Sequence, residues 1–223
     1  MINQNLVVAL ILFQASCLGN FSLNNKNLDE NKFSQYLELF NNHPLPLKFD
    51  RQMLIKVKYA DKIAFKSITN NYLEFIPEVL TKEHVLNSSD YRALYLLPEI
   101  SKINIVAIAQ YLTIESPQYD PVKIFLISYN ANGAIVGFIE LALFHPDISE
   151  SYASISNSIE VEKKIYQFKR NTSVEYSKLL YMIETTIKYK LNDQGSFDEL
   201  NRKVVEGFFQ GNENGYKKVR EVD

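Results

Sequence analysis

The chain has 223 residues, 46% of them hydrophobic and 22% charged, with 24 basic against 26 acidic side chains. That is enough apolar material for a sizeable core and too little excess charge for disorder, so one domain of roughly 200 residues, or two small ones, is expected. A formal net charge of −2 argues against a dedicated nucleic-acid binder, and seven Gly with seven Pro exclude collagen-like or linker character.

Met1 to Ser16 carry no charged side chain, and Leu6 to Phe13 (LVVALILF) are unbroken apolar residues. Eight residues of helix span about 12 Å, far short of the ~30 Å hydrocarbon core of a bilayer. The length suits the apolar region of a secretory signal instead. Ala15 and Ser16 supply the small side chains a signal peptidase needs, and Cys17, the only cysteine, follows at once. With one cysteine no intramolecular disulfide can form. This arrangement resembles the lipobox of bacterial lipoproteins. The resemblance implies cleavage before Cys17, diacylglycerol on its sulfur, and a membrane partner reached through that lipid anchor. Removing 16 of 223 residues would leave 207. Plain secretion is an alternative, as is a cytosolic protein whose first seventeen residues pack as a buried helix. The expected division is 1–16 signal peptide, 17–28 lipidated cysteine and Asn-rich tether, and 29–223 a single α+β domain.

From Asp29 the apolar period is helical. Phe33, Tyr36, Leu37 and Phe40 fall at i, i+3, i+4 and i+7, with Asn27 or Asp29 as cap and His43-Pro44-Leu45-Pro46 as terminator. A second helix is expected over about Ala64 to Ile76, ended by Pro77.

Beyond Tyr91 the period changes to two. Tyr91–Leu97, Ile103–Ile114, Val122–Tyr129 and Ala134–Phe144 read as strands, followed by Ile159–Phe168, Leu180–Leu191 and weaker runs at Val204–Phe209 and Tyr216–Val222. In Ile159–Ile165, Ile, Val, Lys and Ile alternate against Glu, Glu and Lys, the mark of a half-exposed strand. The serines between 149 and 158 read as a polar loop. Asn130–Gly133, Asn192–Gly195 and Asn212–Gly215 each have Asn-x-x-Gly between strand-like runs. Asn initiates a turn through its side chain and Gly accepts positive φ, so these are hairpins of an antiparallel meander. The expected fold is α+β: N-terminal helices followed by a predominantly antiparallel β-meander, as an open sheet or a partly closed barrel.

The order of elements resembles a group of uncharacterised exported lipoproteins common in Bacteroidota. The residues that carry it are Cys17, the helix ending Phe40–Leu47, Leu126–Gly133 with its returning strand, and the turn Tyr189–Gly195. The resemblance implies export and a small mixed domain in a Gram-negative cell envelope, at the outer membrane or in the periplasm. It brings no catalytic residue with it.

Chemistry is sparse. His43, His84 and His145 lack the spacing of a zinc site, so no metal ligands are assigned and no cofactor is expected. Aligning Gly195 with the glycine of a calcium loop puts Lys190 at the first ligand position, which would repel the ion. No Gly-x-Ser-x-Gly and no Gly-rich phosphate loop occurs. Lys56, Lys58, Lys62 and Lys66 read as a solvated face, and the 13% aromatic content reads first as core. The expectation is a non-catalytic binding module with a protein or glycan ligand and no nucleic-acid partner. An envelope hydrolase using His145 with Asp147 is the enzymatic alternative. No catalytic residues are named; the site residues are Cys17 for lipidation and Ala15 and Ser16 for cleavage.

Overall fold

The computed structural model describes residues 29–59, 64–82, 88–113, 121–145, 149–168, 179–212 and 214–221. Asp29 caps the first helix, α1 (Glu30–Leu37), accepting from the backbone N–H groups of Asn31 and Lys32 at 3.0 and 3.3 Å. Two short strands follow, β1 (Asn41–Asn42) and β2 (Leu47–Phe49), then helix α2 (Arg51–Tyr59). Asp50 caps α2 through Met53 N–H at 2.9 Å, and Leu54 and Val57 are the side chains it buries. Nothing in the sequence reading anticipated α2.

The helix expected over 64–76 is a misreading. The backbone of 66–68 instead zips onto a strand edge: Ile68 N–H donates to Tyr91 O at 2.8 Å and Ala93 N–H to Lys66 O at 2.9 Å. Those bonds use the groups a helix would need, and only Asn70–Phe75 winds, as a 3-10 turn. A one-turn helix, α3 (Glu78–Lys82), comes after Pro77.

The remaining strands are β3 (Ser88–Ile100), β4 (Ile103–Thr113), β5 (Val122–Tyr129), β6 (Ile135–His145), β7 (Ser149–Ile155), β8 (Glu160–Phe168), β9 (Leu179–Leu191), β10 (Phe197–Asn212) and β11 (Gly215–Glu221). The serine-rich stretch expected to be a loop is therefore largely a strand. Its small side chains tolerate burial, and β7 is held in register by β8 along its length, from Ser149↔Gln167 to Ile155↔Val161. The sheet runs in the order β1-β3-β4-β5-β6-β7-β8-β9-β10-β11, with β2 pairing β7 where β6 departs. Every pairing is antiparallel except β1 with β3. The fold is thus mostly β, a large and mostly antiparallel open sheet with few helices.

Local chemistry shapes the hairpins. Asn130 Oδ1 accepts from Asn132 and Ala134 N–H, both at 3.0 Å, and Asn192 Oδ1 from Gln194 and Ser196 N–H, both at 3.0 Å. Gly133 and Gly195 close these turns at φ +81° and +85°. In the third turn Asn212 Oδ1 accepts from Asn214 N–H at 2.8 Å.

β4 and β5 are buried on both faces, which is why they read as nearly continuous apolar runs. Ile105, Ala107, Ala109, Ile124 and Leu126 join one core cluster, while Val106, Ile108, Phe125, Ile127 and Tyr129 join the other. α1, the 3-10 turn and α3 cover the second cluster. The first is covered by α2 and by the sheet's own later strands, which double back over it. Ser128 Oγ reaches both Gly195 O at 2.5 Å and Gly137 O at 3.0 Å, so the β9–β10 turn sits on β5 and β6. A Cβ on Gly137 would lie 2.8 Å from Gly195 O, so this close approach demands glycine. Among the described residues no helix is long and apolar enough to cross a membrane.

Candidate binding cleft

Ala15, Ser16 and Cys17 lie outside the described residues, as do His84 and Asp147. The histidines that are described stay apart in role. His43 Nδ1 lies 2.6 Å from Pro44 O and its ring packs 4.6 Å from Tyr95, while His145 is half-buried at the end of β6. Among the described residues no group of three or more His, Cys, Asp or Glu is arranged to hold a metal. The acids Glu162, Asp198 and Glu199 have local partners. Asp198 accepts from the Asn192 amide, Glu199 takes the Arg202 guanidinium in a bidentate pair at 2.8 and 2.9 Å, and Glu162 pairs with Lys188 at 3.3 Å.

Most aromatic rings are spent in the core. Phe33, Tyr36, Phe75 and Tyr129 pack under α1, with Tyr36 OH 3.1 Å from Tyr129 OH and Tyr129 OH donating to Phe75 O at 2.7 Å. Burial pushes both hydroxyls above the ordinary tyrosine value. A second group gathers Tyr152, Tyr166, Tyr216 and Phe209. Beside it sits Glu150, 1% exposed, which accepts from Tyr152 OH and faces the Arg51 guanidinium at 3.6 Å. Burial first, and then Glu150, raises Tyr152 and Tyr216. Sequence reasoning missed this cluster. A lone Glu among serines carries no periodic signal, and apart from Tyr152 the groups around it come from α2 and β11, far away in the chain. Glu150 draws the Tyr152 hydroxyl and the Arg51 guanidinium together, so the cluster works as a pin joining α2 and β11 to β7.

The groups left open to solvent lie elsewhere. Ser67, Thr69, Asn70, Asn71, Leu73 and Asp90 line most of a cleft of about 460 Å3, floored by buried Ile68 and Tyr91. The pairing of 66–68 with β3 positions Ser67 beside Asp90, and the 3-10 turn, seated on buried Phe75, carries the two asparagines. Ser67 Oγ donates to Asp90 Oδ1 at 3.2 Å and Arg92 Nε to Asp90 Oδ2 at 3.2 Å, with the Arg92 guanidinium stacked 4.4 Å from the Tyr111 ring centroid. Asp90 is thereby oriented but remains exposed. The side chains of Thr69, Asn70 and Asn71 make no hydrogen bond among the described residues, and Thr69 does not cap the turn it precedes. A smaller cleft of about 330 Å3, with Lys48, Glu160, Glu162, Lys188 and Leu200 on its walls, lies over β2, β7, β8 and β9.

Compared with known proteins, the chain matches no family model, no curated protein and no solved structure.

Proposed function

We propose that this chain is an exported protein of a Gram-negative cell envelope, anchored by lipid on Cys17, whose folded part is a non-catalytic binding module for a protein or glycan. The anchor rests on the uninterrupted apolar run Leu6–Phe13, followed after Gln14 by Ala15-Ser16-Cys17. From Cys17 to Asp29 is twelve residues (29 − 17), able to reach about 40 Å when extended. Such a tether lets the domain meet a partner away from the membrane. The proposed layout has N-terminal helices leading into the meander.

The observation that carries the binding role is the cleft edged by Thr69, Asn70 and Asn71, whose polar side chains have no partner among the described residues. Polar groups left for a ligand, beside a carboxylate already oriented by its neighbours, are suited to holding a molecule in place. The test of the anchor is intact-mass spectrometry of the protein made in its native host, wild type against Cys17→Ala. A mature mass beginning at Cys17 with added acyl groups, absent from the variant, is expected. An unprocessed chain with a free Cys17 thiol would overturn the export reading.

A further inference from the structure

We propose that the cleft between the 3-10 turn and β3 is a glycan subsite, taking a short, neutral, polyhydroxylated segment. This rests on the binding-module reading but not on the lipid anchor.

The chemistry of the lining selects the ligand class. Among the described residues no Lys or Arg lines the cleft, and Asp90 stands at its edge, so a phosphate or carboxylate ligand would meet a like charge there. A cationic ligand would find a single carboxylate already bonded to Arg92 and Ser67. A lipid or an apolar peptide would need an apolar wall. Ile68 and Tyr91 are 4% and 2% exposed, which leaves Leu73 as the apolar side chain that still offers surface.

What remains is a ring of neutral donors and acceptors. Each Asn offers two N–H donors and a carbonyl, Ser67 and Thr69 offer hydroxyls, and Asp90 offers free lone pairs. Sugar hydroxyls both donate and accept, so adjacent hydroxyls of one residue can engage an amide and a carboxylate together. Leu73 can meet the C–H face of the ring. The cleft volume of about 460 Å3 falls within the range of small-ligand sites. Ser67 and Asp90 are also held before any ligand arrives, because the two backbone hydrogen bonds of 2.8 and 2.9 Å lock the strip to β3. That preorganisation reduces the entropy lost on binding.

The test is isothermal titration of the full chain with neutral tri- and tetrasaccharides built on glucose, mannose, xylose and N-acetylglucosamine. Binding of at least one is expected, weakened about tenfold or more by Asn70→Ala/Asn71→Ala, since two neutral hydrogen-bonding groups are lost. Both asparagines are exposed, so the double variant should keep the wild-type melting temperature. Asp90→Asn, which keeps the shape but removes the charge, should weaken binding as well. Lys48→Ala/Lys188→Ala in the smaller cleft should leave it unchanged. Saccharide binding that survives both cleft variants overturns the assignment to this cleft while leaving the binding-module reading intact. Binding to none of the panel overturns the glycan assignment. The mass of the Cys17 form, read separately, reports on the anchor alone.

Discussion

Removing the ammonium of Lys163 should unfasten the turn of the sheet more than any surface change. Lys163 Nζ on β8 lies 2.8 Å from Glu140 Oε1 on β6, and β7 separates these strands in the sheet order. The lysine side chain is 6% exposed and the glutamate 22%. Breaking a buried pair by deleting one partner costs about 3–5 kcal/mol because the other charge is stranded. In Lys163→Met the stranded Glu140 keeps some solvent and the charge of Lys123, so the cost falls below that range, at about 2–3 kcal/mol. In Glu140→Leu the more deeply buried ammonium is stranded, and about 3–5 kcal/mol is expected. The double variant Glu140→Leu/Lys163→Met strands neither and should fall within about 1 kcal/mol of wild type.

Urea unfolding followed by circular dichroism would measure all three. The Lys163→Met loss corresponds to a melting shift of roughly 4–12 °C for a chain of this size. Acid provides a second arm. Burial would push the Glu140 carboxyl up, but Lys163 and then Lys123 hold it below its ordinary value of 4.5. A depressed carboxyl stabilises the fold above that ordinary value, and the contribution is lost as pH falls through the lower folded value. The gap between wild type and Lys163→Met should therefore narrow below about pH 4.5. Single variants costing under about 1 kcal/mol, or a double variant costing their sum, would refute the reasoning.

Three further outcomes are expected. Gly195→Ala should cost at least about 2 kcal/mol in urea unfolding, since a methyl would meet Val136 Cγ2 at 2.6 Å from a backbone at φ +85°; Gly211→Ala, whose nearest neighbour would be 3.6 Å away, should be mild. Tyr129→Phe should cost about 1–3 kcal/mol by the same assay, because Phe75 O and Tyr36 OH both lose their buried partner. In a spectrophotometric titration, Tyr36, Tyr129, Tyr152 and Tyr166 should stay neutral above pH 10 until the fold is lost. Their folded values lie above the unfolded 10.0, so stability is complete below pH 10 and falls as pH rises beyond it; free ionisation of all fourteen tyrosines near pH 10 in folded protein would contradict this.

Interactions over a few residues were open to reading from the chain alone. Asn130, Asn192 and Asn212 accept from backbone N–H groups two residues on, so those hairpins were visible as Asn-x-x-Gly. The alternation in Ile159–Ile165 matched β8 side by side, including Lys163 on the buried side, because a strand's period of two is intrinsic to its backbone. Most strands were visible in the same way.

Tertiary pairing decided the rest. Residues 66–68 lie in a stretch with helical spacing, yet the open edge of β3 offered their backbone a better set of partners. Ser149–Ile155 lacked an apolar pattern and became a strand because β8 and β2 pair with it. The cleft was hidden for the same reason. Ser67 and Asp90 are twenty-three residues apart, and only the strip's docking on β3 brings them within 3.2 Å of each other. What the sequence by itself determined was turn chemistry, strand content and the uninterrupted apolar run Leu6–Phe13. Which faces the sheet covers by curling, and which polar groups it leaves unpaired, followed from contacts between distant segments, because local periodicity carries no information about them.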